Sequence, residues 1–116
     1  MSVMTYRATG AAAVAGVVAP GVAFQIECIR IHLSAAGGAV GNVNLIATID
    51  AGAGATYDTV ILTQDMTAIT DLVWQPTRPI RCTFVAATVA ASDHIDIVYA
   101  NGSNRDYGLT VNYSII

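Results

Sequence analysis

From residue 22 onward, apolar and polar side chains alternate with a period of two that no helix produces. Val22, Phe24, Ile26 and Cys28 share one parity, and Ile29, Ile31 and Leu33 take the other. The segment therefore reads as one strand with a bulge near Cys28 and Ile29. Residues 35–42 (Ala-Ala-Gly-Gly-Ala-Val-Gly-Asn) predict a loop, and the strand after it sets Val43, Leu45, Ala47 and Ile49 against Asn44, Thr48 and Asp50. Ala-Gly-Ala-Gly-Ala at 51–55 is a second flexible connection, and 59–63 is a short β-branched strand. Residues 64–71 have room for one helical turn, but Thr67 and Thr70 favour a loop or edge strand. Leu72, Val73 and Trp74 lead into Pro76 and Pro79, which cannot donate to a central ladder and predict a stiff crossing at a sheet edge. Ile80, Cys82 and Phe84 alternate with Arg81, Thr83 and Val85, and Ile95, Ile97 and Tyr99 alternate with His94, Asp96 and Val98. Residues 101–106 make a hairpin tip, and the last strand offers Tyr107, Leu109, Val111, Tyr113 and Ile115 to one face.

Seven to nine short strands with regularly spaced turns in 116 residues predict an all-β chain forming a single antiparallel β-sandwich. A jelly-roll-like arrangement is favoured over an immunoglobulin-like one, because Trp74 lies close to Cys82 rather than soon after Cys28. Residues 21–116 form the sandwich, and residues 1–20 an extended N-terminal arm or edge strand. Residues 8–26 carry no charge and follow Arg7, a pattern shared with signal peptides and membrane spans. Gly10, Gly16, Pro20 and Gly21 interrupt it, and alanine stands where leucine is expected, so a strand or surface-lying arm is the better reading.

With 54% hydrophobic and 11% charged residues, the chain is too apolar for a disordered tail. Its cations are five scattered arginines (Arg7, Arg30, Arg78, Arg81 and Arg105) in a net charge of −3, which argues against a nucleic-acid-binding surface. There is no lysine. A small monomer needs a polar skin, so part of this exterior is expected to be covered by another molecule.

Chemistry-bearing motifs are sparse. Cys28 and Cys82 have no zinc-ligand spacing around them and read as two buried free thiols, with a bridge between facing sheets as the alternative. The only histidines are His32 and His94, and no Gly-x-Ser-x-Gly elbow accompanies them. His94 and Asp96 share a strand face, where they could orient an imidazole or hold a cation; such a pair is more often a solvated face. Asp65 and Asp71 lack the spacing of a calcium loop, Glu27 is the sole glutamate, and no lysine follows the glycines of residues 37–42. No catalytic, cofactor-binding or metal-ligating residue is assigned, and the chain reads as a non-enzyme. Asn101-Gly102-Ser103 and Asn112-Tyr113-Ser114 match the glycosylation triplet, which is short enough to arise by chance. Tyr57, Trp74, Tyr99 and Tyr107, with Asn101 and Asn104, raise a glycan- or receptor-binding module as an alternative. Against it, Tyr99 and Tyr107 flank one predicted turn and would pair across it.

Residues 29–36 (Ile-Arg-Ile-His-Leu-Ser-Ala-Ala), 53–66, the Val-Trp-Gln-Pro-Thr-Arg-Pro-Ile run at 73–80 and the hairpin built from 96–101 and 105–113 recur in a familiar succession. Together they resemble small β-sandwich structural proteins of tailed bacteriophages, over about residues 29–114. The Trp-Gln-Pro run and the Tyr-Ala-Asn…Tyr-Gly-Leu hairpin are the most specific parts. The resemblance implies a virion component without catalytic residues: a head decoration or cement protein bridging major capsid subunits, or alternatively a tail or head-to-tail connector component. Its location would be the capsid surface after synthesis in the host cytoplasm, with no cofactor, nucleic acid or membrane partner.

Combined with the residue-level reading, this predicts a symmetric homo-oligomer, with a trimer favoured. Met1 to Val18 and the edge strands would make the contacts. Twenty extended residues reach on the order of 65 Å, enough to cross onto a neighbour. Met4, Tyr6, Arg7, Val14, Val17, Arg105 and Tyr107 are the candidate interface residues, with Arg7 and Arg105 offered to partner carboxylates. An arm of this kind is expected to be removable while the sandwich stays folded.

Overall fold

The computed structural model describes residues 2–116, and Met1, counted above among the contacts, lies outside the described residues. The strands are β1 (Val3–Gly10), β2 (Val14–Val18), β3 (Phe24–Leu33), β4 (Asn44–Asp50), β5 (Thr59–Asp65), β6 (Asp71–Trp74), β7 (Ile80–Cys82), β8 (His94–Tyr99) and β9 (Tyr107–Ile115). They pair antiparallel in two sheets. One has the order β1-β9-β3-β6, with β7 also on β3, and the other has the order β2-β8-β4-β5. The chain is thus an all-β antiparallel sandwich.

The alternation read from sequence decides what lies between the sheets. Phe24, Ile26, Ile29, Ile31, Leu33, Leu109 and Val111 from the first sheet meet Val14, Val18, Leu45, Ala47, Leu62, Ile95, Ile97 and Tyr99 from the second, each at most 8% exposed. The parity change in β3 has a physical cause: its register against β9 shifts between Ile26 and Cys28, leaving Glu27 as the extra residue. This bulge lies just ahead of the expected position and lets Ile26 and Ile29 both face inward. On the opposite edge of β3, β7 covers Phe24 to Ile26 and β6 covers Ile29 to His32. The proline-bounded segment 75–79 bridges the gap beside the bulge, as a stiff edge crossing should.

Of the two forms expected for the N-terminal stretch, residues 2–20 take the edge strand and not the extended arm. Gly10 ends β1 and a turn at residues 11–13 sends the chain to the other sheet, so β1 is an edge strand on β9 and β2 an edge strand on β8. Val14 and Val18 are 1% and 2% exposed within the core. The accessible surface of 6189 Å² is close to the roughly 6,000 Å² of an ordinary folded monomer of this mass, which leaves no outstretched segment. This stretch is structural, and removing it would open the core. Among the described residues no helix is long and apolar enough to cross a membrane.

Both cysteines are free thiols, as expected, and only the burial of Cys28 departs from the sequence reading. Both lie in the first sheet, but Cys82 faces the core at 1% exposure, whereas Cys28, displaced by the bulge, is half-buried on the outer face; neither is bridged. An inter-sheet disulfide is therefore excluded.

Candidate functional site

A strand that buries every second residue exposes the alternate set in rows across the sheet. On the first sheet, one row runs Arg7, Thr110, Arg30, Val73 and the next Thr9, Gly108, His32, Asp71. A shallow groove of about 330 Å³ lies over Gly108 and Thr110, walled by Arg30, His32, Asp71 and Val73. His32 Nδ1 sits 2.6 Å from Asp71 Oδ1 with both side chains about two-thirds exposed, so the pair contributes little to stability. On the second sheet, the rows are Ala15, Val98, Ile46, Thr63, then Val17, Asp96, Thr48, Val60, then His94 beside Asp50. Val17, Val60 and Val98 are 49%, 57% and 54% exposed there.

Charge is divided between the two faces. The strands of the second sheet carry Asp50, Asp65 and Asp96 and no arginine; those of the first carry Arg7, Arg30 and Arg81 against Glu27 and Asp71. Among the described residues the ion pairs involve only histidines, so none of the arginines is neutralised by a carboxylate of its own chain.

The residues singled out from sequence do not form one patch. Met4 and Arg7 are exposed on β1, Val17 is exposed on β2, and Tyr6 and Tyr107 are half-buried against the core. Val14 is a core residue with no surface to offer a partner. Arg105 is half-buried, and its Nε donates to the Ala36 carbonyl at 2.8 Å, tying the hairpin 100–106 to the loop 34–43. Of the two arginines assigned to partner carboxylates, Arg7 is thus the one whose side chain stands clear of the fold.

Nor do the aromatics build a platform. Tyr99 is 2% exposed, Trp74 and Tyr107 lean on the core, and Tyr57 stands alone at 66% on the β4–β5 connection. Asn101, a proposed neighbour of that platform and the first residue of a glycosylation triplet, is 1% exposed. Its Nδ2 donates to the carbonyls of Ala12 and Arg105, both at 2.9 Å, and its Oδ1 accepts from the Arg105 N–H at 3.0 Å. With φ of 51° it also turns the chain, which a short carboxamide side chain tolerates better than most. It is the structural knot between the β8–β9 hairpin and the β1–β2 turn.

One cluster was only partly visible in the sequence. His94 and Asp96 do share the outer face of β8, and pairing of β4 with β8 places Asp50 directly opposite His94. His94 Nε2 lies 3.1 Å from Asp50 Oδ2 and 3.2 Å from Asp96 Oδ1, with all three side chains partly exposed. Burial raises the pKa of Asp96 above the usual carboxylate value; the charge of His94 opposes this, and Asp50 and Asp58 reinforce it. Asp50 is 44 residues from His94 in the chain, so only the non-local strand pairing reveals the third member. Chemically the three can share a proton or hold a cation.

No protein-family model matches the chain, and no curated protein matches it.

Proposed function

We propose that this chain is a non-enzymatic structural protein of a bacteriophage virion, a decoration or cement protein that stabilises the head by bridging major capsid subunits, and that its sandwich is a jelly roll. Strand order supports the fold reading. Pairs β1–β9, β2–β8, β3 with β6 and β7, and β4–β5 are those of one long ribbon folded at the β4–β5 connection. Rolling that ribbon brings β9 against β3 and β8 against β4, as a jelly roll does, with β6 and β7 as one interrupted strand. An immunoglobulin-like order keeps the first two strands side by side, whereas β1 and β2 lie in opposite sheets here.

The observation that carries the functional reading is the unlike charge of the two outer faces: one bears unpaired arginines and the other aspartates, and each also exposes valine, Val73 on the first and Val17, Val60 and Val98 on the second. Guanidinium groups without carboxylates in their own chain are free to take those of a neighbour bidentately. The exposed valines supply the apolar part of a contact that must bury about 800 Å² per partner. A face that meets its complement rather than itself makes a head-to-tail contact, which closes into a ring only where the rotation from copy to copy closes. The phage assignment and the trimer rest on the sequence resemblance of residues 29–114.

The test is cosedimentation of the purified chain with heads of its phage that lack decoration. Saturable binding is expected, and it should be lost in V98D and V60D variants that keep the wild-type circular dichroism. Absence of binding, or binding untouched by both substitutions, would contradict the proposal.

A further inference from the structure

We propose that Asp50, His94 and Asp96 form a binding site for one divalent transition-metal ion of the zinc class on the outer face of the second sheet. The argument begins with one ring nitrogen. His94 Nε2 stands between two carboxylate oxygens at 3.1 and 3.2 Å. A ring nitrogen carries at most one proton, and that proton cannot point well at two acceptors on different residues. A cation lying between the three atoms satisfies all of them at once.

Donor spacing agrees with this. Ligands at the usual bond lengths of about 2.0–2.1 Å stand about 2.9 Å apart at an octahedral corner and about 3.3 Å apart at a tetrahedral one. The two nitrogen–oxygen distances fall between those values, corresponding to angles at the ion of about 100°. The three donor atoms lie within 4.8 Å of one another, so closing the oxygens around an ion asks only for small carboxylate rotations.

The scaffold holds the donors in place. Asp50 and His94 are cross-strand partners, and Asp96 is the next outward residue on β8. Beneath them Ile95 and Ile97 are completely buried, which anchors the backbone of β8. Positions on paired strands are fixed more closely than positions on loops. Charge points the same way. The strands of this sheet carry no arginine, so nothing on them but His94 offsets the two carboxylates.

The donor set selects the ion. One imidazole with two carboxylates suits zinc, manganese, cobalt or nickel; calcium and magnesium prefer all-oxygen shells. All three donors approach from the sheet side, which leaves the remaining coordination positions open to water or to a donor from another molecule.

The experiment titrates the chelator-treated full chain with Zn²⁺ in a calorimeter and with Co²⁺ by visible absorption. One saturable site per chain is expected, with weak cobalt d–d bands and selective perturbation of the His94 imidazole resonances by NMR. H94A should weaken binding at least tenfold, as should D96N, which preserves side-chain shape; H32A should leave it unchanged. The thermal midpoint of each variant without metal reports whether it is folded. The inference is overturned if no saturable binding occurs, if H94A and D96N bind like wild type while folded, or if H32A abolishes binding. An intense thiolate-to-cobalt charge-transfer band, which would move the ion to Cys28, would overturn it too.

Discussion

Replacing Asn101 is the sharpest probe of how the loop end of the sandwich is held. The side chain is 1% exposed and makes hydrogen bonds at 2.9, 2.9 and 3.0 Å to groups of Ala12 and Arg105. Each such bond contributes about 1 kcal/mol net, so N101A forfeits about 3 kcal/mol and leaves backbone groups unpaired. Alanine must also adopt the left-handed φ of 51°, for about 1 kcal/mol more. The expected loss is about 4 kcal/mol, a large share of the 5–15 kcal/mol of a typical domain. N101G accepts the turn without strain and should lose about 3 kcal/mol. N101D keeps the acceptor for the Arg105 N–H but sets a carboxylate oxygen against two carbonyls, and should fare no better than N101A. Urea unfolding followed by Trp74 fluorescence gives each value, with an unchanged m-value as the check that only the native state was altered. A loss below about 1 kcal/mol for N101A, or a glycine variant less stable than the alanine one, would refute the reasoning.

Two further outcomes follow from the same structure. Deleting residues 2–18 removes both edge strands and the buried Val14 and Val18, so the truncated chain should lose its cooperative thermal transition; a sharp transition with native-like amide dispersion by NMR would contradict this. Burial, aided by the charge of Asp93, pushes the Cys82 thiol up to about 12. Because the unfolded thiol ionises near 9 and the folded one does not, this group's stabilisation is complete below pH 9. It is lost above that, at about 1.4 kcal/mol per unit, until pH 12. C82A should abolish that slope between pH 9 and 10, and in the native protein at pH 8 a disulfide reagent should modify Cys28 well before Cys82. Equal reaction rates for the two thiols, or a slope that survives C82A, would count against it.

What could be read in the sequence was what a single strand determines. Ile95, Ile97 and Tyr99 of β8 are buried as their alternation requires, and the parity change in β3 is a real bulge at Glu27. What could not be read depends on which strands become neighbours. Asp50 joins His94 only because β4 pairs with β8, and the N-terminal stretch becomes two strands in opposite sheets because Gly10 and the turn after it change sheet. Arg105 looked free for a partner because a hairpin tip is normally solvated; here the loop 34–43 folds onto it, and a Cβ on Gly102 would collide with the Val40 carbonyl. Close approach of that kind is a tertiary property with no local periodicity to betray it.

The central claim is that the two unlike faces are made for neighbours. Light scattering across a range of concentrations tests it most directly. The account predicts a mass of about three times the 12.0 kDa chain, falling toward one chain in an R7E/R30E variant and recovering when that variant is mixed with one carrying reversed charges at Asp65 and Asp96. A single-chain mass at every concentration for the wild-type protein would contradict it.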